Sequence, residues 1–336
     1  MAKDLEMGYL LDFYGEVLTE KQREMLRQYY NDDLSLSEIG ENFGITRQGA
    51  RDAIKHGETT LKELEEKVGF AARYRRVQQK LEELDPSASN QSRYISDVSR
   101  FPVHENTTAE YFQVGDDMFP VLVRELKQAK KYIFIEYFII NDGVMWQTIL
   151  NILEKKAEEG VDVRLIYDGF GCLTTLPHKY YEELQKKGIK CQVFNPFRPI
   201  LNIIQNNRDH RKLCIIDGWV GFTGGINLAD EYINQKERFG HWKDCGILVR
   251  GKAVWSMTVM FLSLWGYVDR SEEDVGRFRV DYPEKQGNTG FLQPFADSPL
   301  DNEDVGATIL QSVISSAQER MWIMTPYLIL DDKMIS

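Results

Sequence analysis

The sequence predicts an all-α module over residues 1–84, followed by an α/β domain whose helices cover both faces of a mixed sheet. Three observations predict it. Residues 1–84 contain no proline and are rich in Glu, Lys, Leu and Arg, the composition of helices. From about residue 109, buried-strand runs alternate with amphipathic helical stretches. Between them, D-P-S-A-S-N-Q-S at 85–92 is polar and turn-forming. The expected organisation is a helical domain at 1–84, a linker at 85–108, an α/β domain at 109–285, and the opening of a second α/β half at 286–336.

In the first module, Thr19 is the N-cap of a helix reaching about Tyr30. Ser35 opens S-L-S-E, a capping box that closes at Glu38, and a short helix follows through Asn42. Gly44 supplies a tight turn, and Thr46 caps the next helix. Two short helices around a glycine turn form a helix-turn-helix pattern. Arg47, Gln48, Arg51 and Lys55 then lie on the exposed side of the second helix, where such residues meet phosphates and base edges. Residues 1–86 carry 13 basic against 18 acidic side chains, so a solvated bundle face explains these four equally well.

In the second module the expected elements are a helix at Phe119–Lys130, a strand at Tyr132–Ile140, a helix at Trp146–Glu159 and a strand at Val161–Tyr167. A helix at His178–Lys187 and strands at Lys190–Phe194, Lys212–Asp217, Trp219–Thr223 and Cys245–Arg250 follow, then a buried helix at Ala253–Tyr267. A further helix at Ala307–Arg320 and a strand at Met321–Pro326 end the pattern.

The chain has 336 residues, 43% of them hydrophobic, which supports folded domains with buried cores. A net charge of −11 means that any nucleic acid or anionic membrane must be met by a local basic patch. The four cysteines form no C-x-x-C pair and no cluster of zinc spacing, as expected of free thiols in a reducing compartment. The N-terminus lacks the charged-then-apolar pattern of a signal peptide. The longest apolar runs, Tyr132–Ile140 with Glu136 inside it and Met257–Val268, fall short of the roughly 20 residues that span a bilayer. No transmembrane helix is expected, and the location is cytoplasmic or peripheral at the inner face of the membrane.

The chemistry concentrates at His210, Lys212 and Asp217, an H-x-K-x4-D pattern. Attack on a phosphodiester needs a nucleophile, a cation on the non-bridging oxygens and an acid for the leaving oxygen. Neutral imidazole at His210 suits the first task, and Lys212 neutralises phosphate charge. Two residues apart on a strand, both reach one pocket, while Asp217 points the other way and fixes the turn at Gly218. With five histidines in the chain, the pattern arises by chance about 0.02 times, which disfavours a merely structural His210. Gly224, Gly225 and Asn227 form a G-G-x-N in which backbone and amide can approach a phosphate. Asp244, in H-W-K-D, is a candidate to hold the far nitrogen of His210, or else a surface carboxylate.

These words carry two resemblances. D-L-E-M-G-Y-L-L-D-F-Y-G at 4–15 and S-L-S-E-I-G-E-N-F-G-I-T-R-Q-G-A-R-D-A-I-K at 35–55 resemble the YlxM family of helix-turn-helix proteins, over about residues 1–82. That resemblance implies a DNA-binding regulatory module, through residues 46–57, linked to the signal-recognition-particle pathway. Q-S-R-Y-I-S, F-P-V-H-E-N-T, Y-I-F-I-E-Y-F-I-I, N-N-R-D-H-R-K, G-F-T-G-G-I-N-L-A-D-E-Y-I-N, G-H-W-K-D and T-P-Y-L-I-L resemble cardiolipin synthases of the phospholipase D superfamily, over about residues 91–336. This second resemblance implies a phosphatidyl group carried on histidine from one phosphatidylglycerol to another, at the surface of an anionic membrane, without cofactor or metal. It implies that His210 is the nucleophile or the acid of a pair, that Lys212, Gly225 and Asn227 hold phosphate, and that Asp244 orients His210. Glu136 and Glu231 lie in matching words as further pocket residues.

That family uses two such motifs, and no histidine follows His241 here. A truncated reading frame and a fusion completed by homodimerisation both fit, the first being favoured. An inert phospholipase-D-like portion carried by a DNA-binding protein is the alternative function. A nuclease is disfavoured by the acidic balance.

Overall fold

The computed structural model describes residues 5–196, 207–282, 290–297 and 303–325. The chain divides into two units, Met1–Pro86 and Ser87–Ser336.

The first unit is helical: α1 (Leu5–Tyr14), α2 (Glu20–Tyr30), α3 (Leu36–Asn42), α4 (Arg47–Val68) and α5 (Phe70–Leu84). The local signals act as expected. Thr19 and Ser35 form capping boxes with Gln22 and Glu38, and the Thr46 side chain accepts from Gly49 N at 3.0 Å. Gly44, at φ +63°, makes the turn between α3 and α4. Helix α4 runs on past Gly57 to Val68, longer than the short helix expected. Its inner positions Ala50, Ile54, Gly57 and Leu61 keep helical spacing, and all are buried. Leu26 of α2 occupies the space that a side chain at Gly57 would need, so a glycine mid-helix lets two helices approach closely. Glu65 then receives the amides of Ala71 and Ala72 and fixes the turn into α5.

The second unit holds a seven-stranded mixed sheet of order β1-β7-β6-β5-β2-β3-β4. The strands are β1 (Thr107–Phe112), β2 (Tyr132–Tyr137), β3 (Asp162–Asp168), β4 (Lys190–Phe194), β5 (Leu213–Ile216), β6 (Val220–Gly224) and β7 (Gly246–Gly251). β2, β3 and β4 run parallel, and the remaining neighbours pair antiparallel. The helices are α6 (Pro86–Ser99), α7 (Gly115–Gln128), α8 (Val144–Glu158), α9 (Tyr180–Lys186), α10 (Val254–Asp269) and α11 (Val305–Ser316).

Alternation along β2 explains the layers. Ile133, Ile135 and Tyr137 enter the core shared with residues of α7, α8 and α9, such as Leu122, Trp146 and Leu184. Tyr132 and Phe134 enter the opposite core with Val254, Met257 and Phe261 of α10. Every residue of β2 is buried, as a central strand covered on both faces requires. Phe134 stacks on Phe261 at 4.7 Å between ring centroids.

Four departures from expectation have physical causes. Residues 86–99, expected within a linker, form α6: Pro86 suits a first helical turn, and Ser89, Ser92 and Ile95 are buried. Gln293 further ties this region down by donating to Ser92 O, Ser96 Oγ and Phe101 O. Strand β1 was not read from the sequence, because only its end residues Thr107 and Phe112 are buried. His210 and Lys212 precede β5, which begins at Leu213, so the motif occupies extended chain leading into the strand. Residues 321–325 form no strand; Trp322 and Met324 are exposed, and without a neighbouring strand β-propensity has no ladder to enter. Pro326 and T-P-Y-L-I-L beyond its first residue lie outside the described residues.

Asp217 and Gly218 adopt φ +53° and +68° in the β5–β6 turn, where Trp219 N donates to Ile216 O. The Asp217 carboxylate accepts from Lys130 N, Lys131 N and Tyr132 N at 2.7–3.0 Å. It thereby ties the β5–β6 turn to the start of β2. Replacing Asp217 by Ala is expected to lower unfolding free energy by about 2–3 kcal/mol, from lost bonds to a charged acceptor. Urea denaturation checks this; an unchanged midpoint would remove Asp217 from the set of residues that hold the sheet together.

Candidate active site

The ends of β2 and β3 and the start of β5 lie at one end of the sheet, because β2 and β3 are parallel and β5 opposes β2. His210 reaches this end just before β5. Its ring lies 4.8 Å from the ring of Phe138, the residue after β2. Lys212 Nζ lies 3.1 Å from His210 Nδ1 and donates to His210 O at 2.6 Å. An ammonium has no lone pair, so while Lys212 is charged, Nδ1 accepts and the imidazole proton sits on Nε2.

Burial sets the electrostatics. His210 is held below its ordinary value of 6.5 by burial and by the Lys212 charge, with Asp209 and Asp168 opposing. Lys212 is buried, and that pushes its pKa down to about 8, against the carboxylates of Asp209 and Asp244. Imidazole therefore remains neutral across a wide range, and the ammonium stands ready to lose its proton close to physiological pH.

The structure distributes the expected residues unevenly. His210 and Lys212 are together, and Asp244 is beside Lys212 electrostatically; burial raises its carboxyl while the Lys212 charge lowers it. Gly225 has a clear structural reason: a side chain there would strike the Asp244 carboxylate. Asn227 is buried, accepts from Ile139 N at 3.0 Å and donates to Tyr232 OH at 2.9 Å. Its amide thus stitches the loop after β2 to the segment after β6. Glu231 is buried and takes Arg238 at 3.2 Å. Asp217 lies at the far end of β5, four residues of strand away from Lys212.

Glu136 is fully buried near the end of β2, with Arg211 Nε 2.5 Å from Oε1. The contact is an ion pair off the line of a hydrogen bond, since neither Glu136 oxygen has an aligned donor. Burial holds its carboxyl well above the usual range, with Arg211 opposing and Asp209 reinforcing.

Sequence reasoning passed over Asp168, the last residue of β3. It is fully buried, and its carboxylate accepts from Phe170 N and Gly171 N at 2.8 Å and from Asp209 N at 3.1 Å. Arg208 Nη1 lies 3.7 Å away. Asp168 therefore grips the amide next to His210 and shapes the D-G-F-G turn with the same group. The available signal was an aspartate closing a wholly buried strand, where a carboxylate persists only with several partners. Asp168→Asn removes a negative charge near His210. The His210 imidazole is then expected to titrate at a still lower pH, read from its Cε1 proton by NMR and assigned with His210→Ala. An unmoved titration would leave Asp168 as a turn-forming residue alone.

Comparison with known proteins finds a separate match in each unit. Residues 122–243 match the family model for the cardiolipin synthase, PLD-like domain, and residues 1–100 match the helix-turn-helix family described as YlxM / p13 like. An uncharacterized protein of Streptococcus mutans is 45% identical over 259 residues, covering 77% of this chain and 56% of its own length. Cardiolipin synthase 2 of Bacillus cereus is 37% identical over 223 residues, covering 66% of this chain and 43% of its own. The cardiolipin synthase of Alkalihalophilus pseudofirmus is 33% identical over 240 residues, 71% and 48% of the two chains. The chain thus spans about half the length of these relatives. Among solved structures, phosphatidylserine synthase of Haemophilus influenzae is similar at 14% identity and TM-score 0.42, covering 57% of this chain and 46% of that one. The phospholipase D family member Nuc of Salmonella typhimurium is similar at 15% identity and TM-score 0.36, over 48% and 95%.

Proposed function

We propose that the second unit is one half of a phosphatidyltransferase site of cardiolipin synthase type. The observation that carries this reading is the Lys212 ammonium set against the His210 imidazole in a half-buried pocket, within a segment similar to enzymes of that name. In this reading the arriving phosphate draws the Lys212 ammonium off Nδ1, and the freed Nδ1 lone pair of His210 attacks the phosphorus of phosphatidylglycerol. A P–N bond forms, the P–O bond to glycerol breaks, and glycerol leaves with a proton from a partner histidine. A hydroxyl of a second phosphatidylglycerol then attacks the phosphorus, its proton passing to the partner histidine; a P–O bond forms and the P–N bond breaks, giving cardiolipin and returning both imidazoles. His210 is one member of that pair. A second copy of the chain is one source of the partner. Lys212 holds the non-bridging oxygens, and Asp244 neutralises Lys212 between turnovers. Among the described residues no helix is long and apolar enough to cross a membrane.

With phosphatidylglycerol vesicles, cardiolipin formation by the intact chain is expected to drop at least about a thousandfold in His210→Ala. The pH dependence follows from the two shifts. The rate rises with pH through a value below 6.5 as His210 becomes neutral, and falls above about 8 as Lys212 loses its charge. Lys212→Arg moves the upper limb to higher pH, because guanidinium keeps its proton. Product formed at equal rates by wild type and His210→Ala would end this reading.

A second reading concerns the first unit. Arg47, Gln48, Arg51 and Lys55 are all exposed on α4, and Arg47, Arg51 and Lys55 recur at helical spacing on one face. We read this face as a DNA contact on the similarity of residues 1–100 to a helix-turn-helix family, and a regulatory role in the signal-recognition-particle pathway is part of that reading. Gel retardation of duplex DNA by the chain is expected to weaken roughly tenfold in Arg51→Ala/Lys55→Ala and to decline with salt. Identical retardation by both proteins would exclude α4 as the contact.

A further inference from the structure

The loop at 235–243, Q-K-E-R-F-G-H-W-K, leads from the segment after Asn227 to Asp244, and so borders the His210–Lys212 pocket. It is built to project. At its base Asn234 accepts from Trp242 N at 2.7 Å and donates to Trp242 O at 3.1 Å, while Trp242 packs against Tyr232 at 5.1 Å. Gly240, at φ +92°, turns the chain just past the tip. At that tip Phe239 is 79% exposed, an unusual cost for an aromatic ring on a loop whose base is so well anchored.

The charge of this loop runs against that of the chain. Lys236, Arg238 and Lys243 stand against one acid, Glu237, in a protein of net charge −11. The Arg238 guanidinium lies over the Phe239 ring at 5.2 Å. The same pairing recurs on the loop after β3, at the same end of the sheet. There Phe170 is 52% exposed under the Arg208 guanidinium at 5.0 Å, and Leu173 beside it is 48% exposed. Each pair sets a guanidinium against an exposed aromatic ring, with Arg208 itself mostly buried beside Asp168 and Arg238 sharing its charge with Glu231, so the exposed cations of this face are Lys236 and Lys243. Exposed apolar tips beside exposed lysines match the boundary of an anionic bilayer, where acyl chains lie below phosphates. Single-stranded nucleic acid also accepts stacked aromatics and arginines. The exposed aliphatic Leu173 and the recurrence of apolar tips favour lipid.

We propose that the loop at 235–243, with Phe170 and Leu173, docks the second unit onto a membrane surface containing anionic phospholipid, so that the His210 pocket opens at the headgroup layer. The proposal rests on the phosphatidyltransferase reading only for the role that docking serves.

Co-sedimentation of the full chain with vesicles of phosphatidylcholine, with and without phosphatidylglycerol, tests it. Binding is expected only with phosphatidylglycerol and should weaken with salt. Lys236→Gln/Lys243→Gln should weaken it by about 25-fold, roughly fivefold per lysine. Phe239→Ser should weaken it at least about fivefold, with thermal unfolding unchanged, because all three positions are exposed. His210→Ala should bind like wild type, so loss of catalysis and loss of docking are read separately. Equal vesicle binding by wild type and the loop variants overturns the proposal. So does binding of a single-stranded oligonucleotide that depends on these residues while vesicles are ignored.

Discussion

The second unit depends on carrying charge into an interior that disfavours it. β2 and β3 are buried on both faces, yet Glu136 lies near the end of one and Asp168 ends the other, both fully buried. A lone carboxylate would not survive there. Asp168 survives on three backbone amides and the nearby Arg208, and Glu136 on Arg211 together with a carboxyl driven toward its neutral form. Because those partners come from residues 208–211 and from the turn after β3, the same bonds immobilise the chain on both sides of His210. The motif residues lie outside any strand, so these carboxylates supply the rigidity that a ladder would otherwise provide.

That arrangement also tunes the chemistry. Partial desolvation and the Lys212 charge hold the exposed His210 below its ordinary value, while burial lowers the affinity of Lys212 for its proton and Asp209 and Asp244 restore part of it. A buried ammonium whose proton affinity is lowered in this way gains from any anion brought beside it. The glycine pair serves the same end. Gly225 admits the Asp244 carboxylate, and Asn227 spends its amide on Ile139 and Tyr232, holding two loops together at the edge of the pocket.

Much of this was readable in the chain because it is local. Caps at Thr19, Ser35 and Thr46 announce α2, α3 and α4 through side chains three residues from their targets. The alternation of β2 and the apolar run of α10 announce a two-faced sheet. The histidine–lysine spacing announces two side chains that meet at one place. Less legible were elements whose stability comes from elsewhere. β1 exists because β7 pairs with it, and α6 because Gln293 and buried contacts hold a polar segment. The stretch at 321–325 shows the converse, a β-prone sequence with no strand to join.

The sequence alone determined the two fold classes and the pairing of His210 with Lys212, since caps, hydrophobic period and short spacings act within a few residues. Only the tertiary structure decided what surrounds that pair. Asp168 and Glu136 lie 42 and 74 positions before His210, and Asp217, close in sequence, was carried off to the opposite end of its strand. Which carboxylates reach an imidazole depends on strand order and on burial, and neither is written in local spacing.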